Sequence, residues 1–151
     1  MVKKIKRILW PTDFSALAEQ AMETVITLAR SFRAQIIIGH IVQPIPVSPP
    51  SLNFDVTRYE KEMLSSARNN LKKLAERLLQ KDRKLKVKTV VRLGQPAESI
   101  AELASHYQVD LIAICTHGRT GFNHFLFGSV AERVIRTAAC PVLVIRAKAS
   151  S

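Results

Sequence analysis

Cysteine is scarce in this chain. There are two in 151 residues, Cys115 and Cys140, with no C-x-x-C and no Cys/His cluster around either. That excludes a disulfide framework and a tetrahedral zinc site, and it suits a reducing compartment. Long apolar runs are missing as well. The first begins behind Lys3, Lys4, Lys6 and Arg7 and stops at Pro11, too short for the core of a secretion signal. No later run approaches the ~20 residues that cross a bilayer. The expectation is a soluble, cytoplasmic protein. Two phosphate-binding signatures are also absent. No Gly-Lys-Ser/Thr closes a Walker A loop, and Gly118 and Gly121 give G-x-x-G rather than the dinucleotide fingerprint.

Acidic residues are in short supply: 12 Asp and Glu stand against 23 Lys and Arg, a formal charge of +11. The imbalance is uneven. From Arg58 to Arg92 there are twelve Lys/Arg and four Asp/Glu. One reading is a solvated face that keeps the protein soluble. The other is an electrostatic landing surface for nucleic acid or an acidic partner. Tyr59 is the one aromatic residue in that stretch, so no aromatic stacking pattern is interleaved with the charges.

With 47% apolar residues the chain has enough to bury a core, and its length suits one domain spanning residues 1–151. Ile5–Trp10 reads as a strand closed by Pro11-Thr12-Asp13. Ser15 to about Phe32 reads as one helix, with Leu17, Ala21, Val25 and Leu28 near a 3.6-residue period. Gln35–Ile41 is nearly all apolar, as a strand covered on both faces should be. Pro44, Pro46, Pro49 and Pro50 then interrupt the chain in a loop long enough for a lid or a partner contact. Val56–Leu79 is a long amphipathic helix and Val87–Leu93 an alternating edge strand. Pro96 opens a helix that runs to about Tyr107. Val109–Thr116 is a second apolar strand, Ser129–Thr137 a short helix, and Pro141–Arg146 the last strand. Strict alternation of apolar strands with helices predicts an α/β fold: a doubly wound parallel sheet with helices on both faces. Ligands of such sheets bind beyond the carboxyl ends of the strands, where the strand order reverses.

The stretch Ile112-Ala113-Ile114-Cys115-Thr116-His117-Gly118, followed after nine residues by Gly128-Ser129, carries an apolar strand into a glycine loop and on to a helix start. Glycine admits an anion close to backbone N–H groups, and a helix N-terminus adds unpaired donors and partial positive charge. Ser129 also opens Ser-Val-Ala-Glu, a capping box with Glu132 at its third helical position. Both duties stay open for it. Asp13 caps the first helix or faces a ligand. Cys115 and His117, two apart on a strand, would share a face, but no third residue is evident to orient them as a nucleophile and base.

Pro11-Thr12-Asp13-Phe14-Ser15, Gly94-Gln95-Pro96, Thr-His-Gly-Arg at 116–119, Gly-Ser-Val at 128–130 and Cys-Pro-Val-Leu-Val at 140–144 resemble the universal stress proteins, over about residues 3–147. The resemblance implies a Rossmann-like sheet of five strands in the order 3-2-1-4-5, of the adenine nucleotide alpha hydrolase-like class, and a homodimer. In the ATP-binding branch the motif is G-x-x-G, nine residues, G-S/T. Here Cys115 stands in place of the first glycine. By this similarity Asp13, beside Pro11 and Thr12, reads the adenine with help from the Ile41 backbone. Ile114 and Cys115 meet the ribose. Gly118, flanked by His117 and Arg119, holds the phosphates together with Gly128, Ser129 and Val130. ATP, or ADP or AMP, is the implied cofactor, with Mg²⁺ or Mn²⁺ bridging the phosphates. The extra thiol predicts weakened rather than abolished affinity.

The expected role is a dimeric stress-response module, joined through Val142–Ile145 and presenting a nucleotide-dependent surface to a protein partner. No catalytic residue is assigned and hydrolysis should be slow at most. The alternatives are a nucleotide-free interaction module and a polyanion binder using the 58–92 face. A true hydrolase of the superfamily would need a Ser-Gly-Gly-x-Asp-Ser type loop after the first strand, which Pro11–Ser15 does not supply.

Overall fold

A computed structural model describes residues 3–46, 54–116 and 128–148. Five parallel strands form one sheet: β1 (Arg7–Pro11), β2 (Gln35–Val42), β3 (Lys86–Leu93), β4 (Leu111–Thr116) and β5 (Val142–Arg146). Their order is β3-β2-β1-β4-β5, as the resemblance implies. Side chains alternate across the sheet, so each buried strand feeds two cores. Ile8, Trp10, Ile36, Ile38 and Ala113 face one side. There they meet Val25 and Ile26 of α2 (Met22–Phe32) and Leu71, Leu74 and Leu78 of α3 (Val56–Lys81). Leu9, Ile37, Ile112 and Ile114 face the other side. They pack on Ile100 and Leu103 of α4 (Pro96–His106) and on Ala131 and Val134 of α5 (Ser129–Thr137).

The first helical segment differs from the sequence expectation. It is broken into α1 (Ala16–Glu19) and α2, with Gln20 and Ala21 between them. The cause is a side chain entering the helical ladder. The Cys115 thiol donates to the carbonyl of Leu17 at 3.1 Å. In a continuous helix that carbonyl would accept the N–H of Ala21. Ala21 bonds instead to Ala18, and Gln20 to Leu17, both three residues back and at 3.2 Å. The Gln20 amide then clamps the chain beyond β5, accepting from the N–H of Lys148 and donating to its carbonyl.

At the opposite, amino-terminal edge, Asp110 joins the starts of β1 and β4. Its carboxylate accepts the backbone N–H of Lys6 at 2.9 Å and of Arg7 at 3.1 Å, and pairs with the Lys3 ammonium at 3.0 Å. Burial alone would raise its pKa, but these three donors outweigh that and hold it below the ordinary aspartate value. A depressed folded pKa contributes stability above the unfolded pKa of about 4, and the contribution is lost as pH falls through the folded value. Asp110→Ala should therefore cost about 1–2 kcal/mol near neutral pH by orphaning two N–H groups. In urea melts taken at falling pH, the gap to wild type should close below about pH 4. A gap that stays constant through that range would show that Asp110 is not ionised in the fold.

Candidate functional site

The site begins where β1 stops being a strand. Its ladder with β2 runs the length of the strand, from Arg7 opposite Gln35 to Pro11 opposite Gly39. With β4 it pairs only at Ile8–Leu111 and Leu9–Ile112. Beyond Leu9 no ladder joins the two central strands among the described residues. Here the strand order reverses and the connections leave in opposite directions, the place where sheets of this class form a crevice at the carboxyl edge.

The β1 side of this crevice is built rigidly. Thr12 is buried, and its N–H donates to the Gly39 carbonyl at 2.8 Å, which carries the β1–β2 pairing one residue further. Its Oγ1 accepts the N–H of Phe14 at 3.1 Å, and the Asp13 carboxylate accepts the N–H of Ser15 at 2.9 Å. Two successive side-chain turns of this kind force a tight reversal. Phe14 takes the cost, with a left-handed φ of 63°. His40 secures the turn from β2. Its Nδ1 lies 2.7 Å from the Thr12 carbonyl, so that nitrogen carries the proton and donates. Its ring also lies against Phe14 with centroids 4.4 Å apart. Ser15 caps α1, accepting the Ala18 N–H at 3.1 Å. Asp13 is therefore not the helix cap, one of the two duties the sequence left open for it.

On the β4 side, Ile114 is buried in the α4–α5 core while Cys115 turns to the opposite face, toward α1. Burial first, and then the Asp13 charge, raise the Cys115 pKa above that of a free thiol. Cys115 is thus a protonated hydrogen-bond donor near Asp13, not an activated nucleophile. Gly128 precedes α5 as its N-cap, with φ −63° and ψ 154°, and among the described residues no side chain caps this helix. The expected capping box is absent, because Ser129 is the first helical residue and its hydroxyl is not the cap. The first turn of a helix leaves its N–H donors without intrahelical partners, directed out of the helix end. α5 packs on β4 through Ala131 and Val134, so these donors lie at the carboxyl edge. Val130 leans on the same core, and Ile41 lies two residues beyond Gly39 on β2. His117, Gly118 and Arg119, and most of the proline-rich loop, lie outside the described residues.

The crevice, the Thr12-Asp13 turn and the uncapped α5 occur together in a sheet ordered 3-2-1-4-5. The model of the universal stress protein family matches residues 4–146. The chain belongs to the universal stress protein family. Universal stress protein MJ0531 of Methanocaldococcus jannaschii is 35% identical, over 93% of this chain and 82% of that protein. MJ0577 of the same organism is 31% identical over 96% of this chain and 97% of that one. Its solved structure superposes with a TM-score of 0.76. A universal stress protein from Archaeoglobus fulgidus, solved in complex with dAMP, has a TM-score of 0.59 and 21% identity, covering 96% of this chain and 99% of that one. At that identity the likeness concerns the fold.

His40 and Leu17 are the site-building residues that the sequence conceals. Within β2, His40 is the one titratable residue in an apolar run, which was a usable signal. Leu17 contributes only its carbonyl, and a backbone atom leaves no trace in residue type.

Proposed function

We propose that this universal stress protein binds an adenine nucleotide, ATP or a relative, at the carboxyl edge of its sheet and works as a nucleotide-dependent regulatory module. The observation that carries the reading is the uncapped first turn of α5, at Gly128–Val130, at the same edge as the Thr12-Asp13 turn. The first offers donors and partial positive charge for phosphates. The second offers a carboxylate whose backbone is fixed by Thr12 and His40, suited to the exocyclic amine of adenine. In this reading Pro11, Ile41, Ile114 and Cys115 border the space between them, and His117, Gly118 and Arg119 belong to the same site. On the same reading the Cys115 thiol, bonded to the Leu17 carbonyl, weakens binding without abolishing it.

No three His, Cys, Asp or Glu side chains gather to hold a metal among the described residues. A divalent ion, Mg²⁺ or Mn²⁺, would bridge the phosphates and neutralise their charge. Among the described residues no helix is long and apolar enough to cross a membrane. Dimerisation belongs to the same proposal. β5 is a sheet edge, its residues Val142–Ile145 are half-buried, and Ile135 is exposed beside it. An apolar edge of this kind suits pairing with a second copy.

Calorimetric titration of Mg²⁺-ATP into folded, nucleotide-free protein tests the reading. Binding in the micromolar range, weakened at least about tenfold by Asp13→Ala, is the expected result. Folded protein that neither evolves heat nor displaces a fluorescent ATP analogue would overturn it.

A further inference from the structure

Along 58–92 several cations are already engaged: Arg58 with Glu62, Arg77 with Glu19, Lys81 with Glu23 and Arg92 with Glu102. Others, such as Lys72 and Lys73, lie on the exposed side of α3. A basic cleft lies away from α3. A cleft of about 380 Å³ opens at the amino-terminal edge of the sheet, lined by Lys4, Lys6, Arg7, Phe32, Arg33, Gln35 and Lys86. Five of the seven lining residues are cations and none is acidic.

The fold assembles this cleft from pieces far apart in sequence. Arg7, Gln35 and Lys86 are the first residues of β1, β2 and β3. Register sets them in one row, with Gln35 opposite both Arg7 and Lys86. Lys4 and Lys6 lead into β1, and Phe32 and Arg33 end α2. Arg7 is committed, donating to the Tyr107 carbonyl at 3.0 Å and to Gln108. Lys4, Lys6, Arg33 and Lys86 form no ion pair among the described residues. Asp110, at the foot of β1, is spent on Lys3 and two backbone N–H groups. Arg33 also sits at the C-cap of α2 with a left-handed φ of 55°. Glycine takes that position at least cost, so this chain gives up some local stability and gains a guanidinium at the cleft. Phe32, 37% exposed, supplies an aromatic face among the charges.

We propose that this cleft is a binding site for single-stranded nucleic acid, distinct from the nucleotide crevice at the other end of the strands. Four unpaired cations suit successive phosphates, and one exposed ring suits an unstacked base. A concavity with an aromatic inside it favours a flexible single strand over a duplex, whose bases are already stacked.

The test is fluorescence anisotropy of a labelled oligouridylate across a salt series from about 50 to about 200 mM. Four neutralised phosphates give a slope of log K against log salt near −3, at about −0.7 for each. Lys4→Gln with Lys6→Gln should bring that slope to about −1.5, while Lys72→Gln with Lys73→Gln leaves it unchanged. Phe32→Leu keeps the buried part of the side chain and removes the π-face. It should weaken binding about fivefold or more with no change in slope. Gly128→Asp, placed at the other edge, should leave the oligonucleotide affinity as it is. Three results would each overturn the proposal: no binding at the lowest salt, equal losses from the α3 pair and the cleft pair, or no loss from Phe32→Leu with inorganic polyphosphate competing as well as RNA.

Discussion

Gly128→Asp is expected to reduce ATP affinity by at least about a hundredfold while leaving the fold as stable as wild type or slightly more so. The two effects come from the same atoms. Gly128 has an extended conformation, φ −63° and ψ 154°, which any residue adopts, so the substitution is not strained. An aspartate there is a good N-cap, a few tenths of a kcal/mol better than glycine, because its carboxylate accepts N–H groups of the first turn. Those are the donors proposed for the phosphates. The new carboxylate both occupies them and opposes a polyanion. Two unit charges about 4 Å apart at an effective dielectric near 20 interact by about 4 kcal/mol, which more than covers a hundredfold loss. Gly128→Asn separates the two causes: it caps similarly without the charge and should lose only about tenfold. Calorimetry and urea melts on the three proteins give the answer. A Gly128→Asp protein that is destabilised, or that binds ATP as wild type does, would mean α5 does not serve the phosphates.

Much of the architecture is legible in the sequence because apolar runs in parallel strands leave few alternatives. Gln35–Val42 carries almost no polar residue, and only a strand covered on both faces accepts that pattern. Pro96 starts α4 and Asp55 caps α3 by short-range rules that residue type expresses directly. The misreadings are tertiary. The periodicity from Leu17 to Leu28 is helical throughout, yet the ladder breaks because a thiol some hundred residues away takes the Leu17 carbonyl. The Ser129 capping box has the right spelling, but the helix starts one residue early, with Gly128 at the cap. The amino-edge cleft was invisible for a similar reason. Its cations come from three stretches of the chain, and only register places Arg7, Gln35 and Lys86 side by side. A count of charges along the chain pointed instead to α3, where they are exposed and several are paired.

Trp10→Ala should be among the most destabilising single substitutions in the protein, at about 3–5 kcal/mol. Trp10 is fully buried on the central strand, packed in the core beneath α2 and α3. A domain of ordinary stability has about 5–15 kcal/mol in total, so this loss would bring the protein close to unfolding. Trp10→Phe should behave differently. The indole Nε1 is buried and has no hydrogen-bond partner among the described residues. An orphaned donor costs about 1–3 kcal/mol, and phenylalanine relieves it. The volume lost with the smaller ring costs a similar amount, so Trp10→Phe should fall within about 1 kcal/mol of wild type. Urea unfolding followed by circular dichroism distinguishes the cases. Equal losses from the two variants would show that filling the space matters and that the N–H is satisfied. The pair also bears on the site. Trp10 directly precedes Pro11-Thr12-Asp13, so its packing sets where β1 ends and where the Asp13 carboxylate is held. Trp10→Phe keeps an aromatic ring in that place and should retain ATP affinity. Trp10→Ala, studied below its melting temperature, should weaken ATP binding by loosening the turn, even though the residue touches no nucleotide.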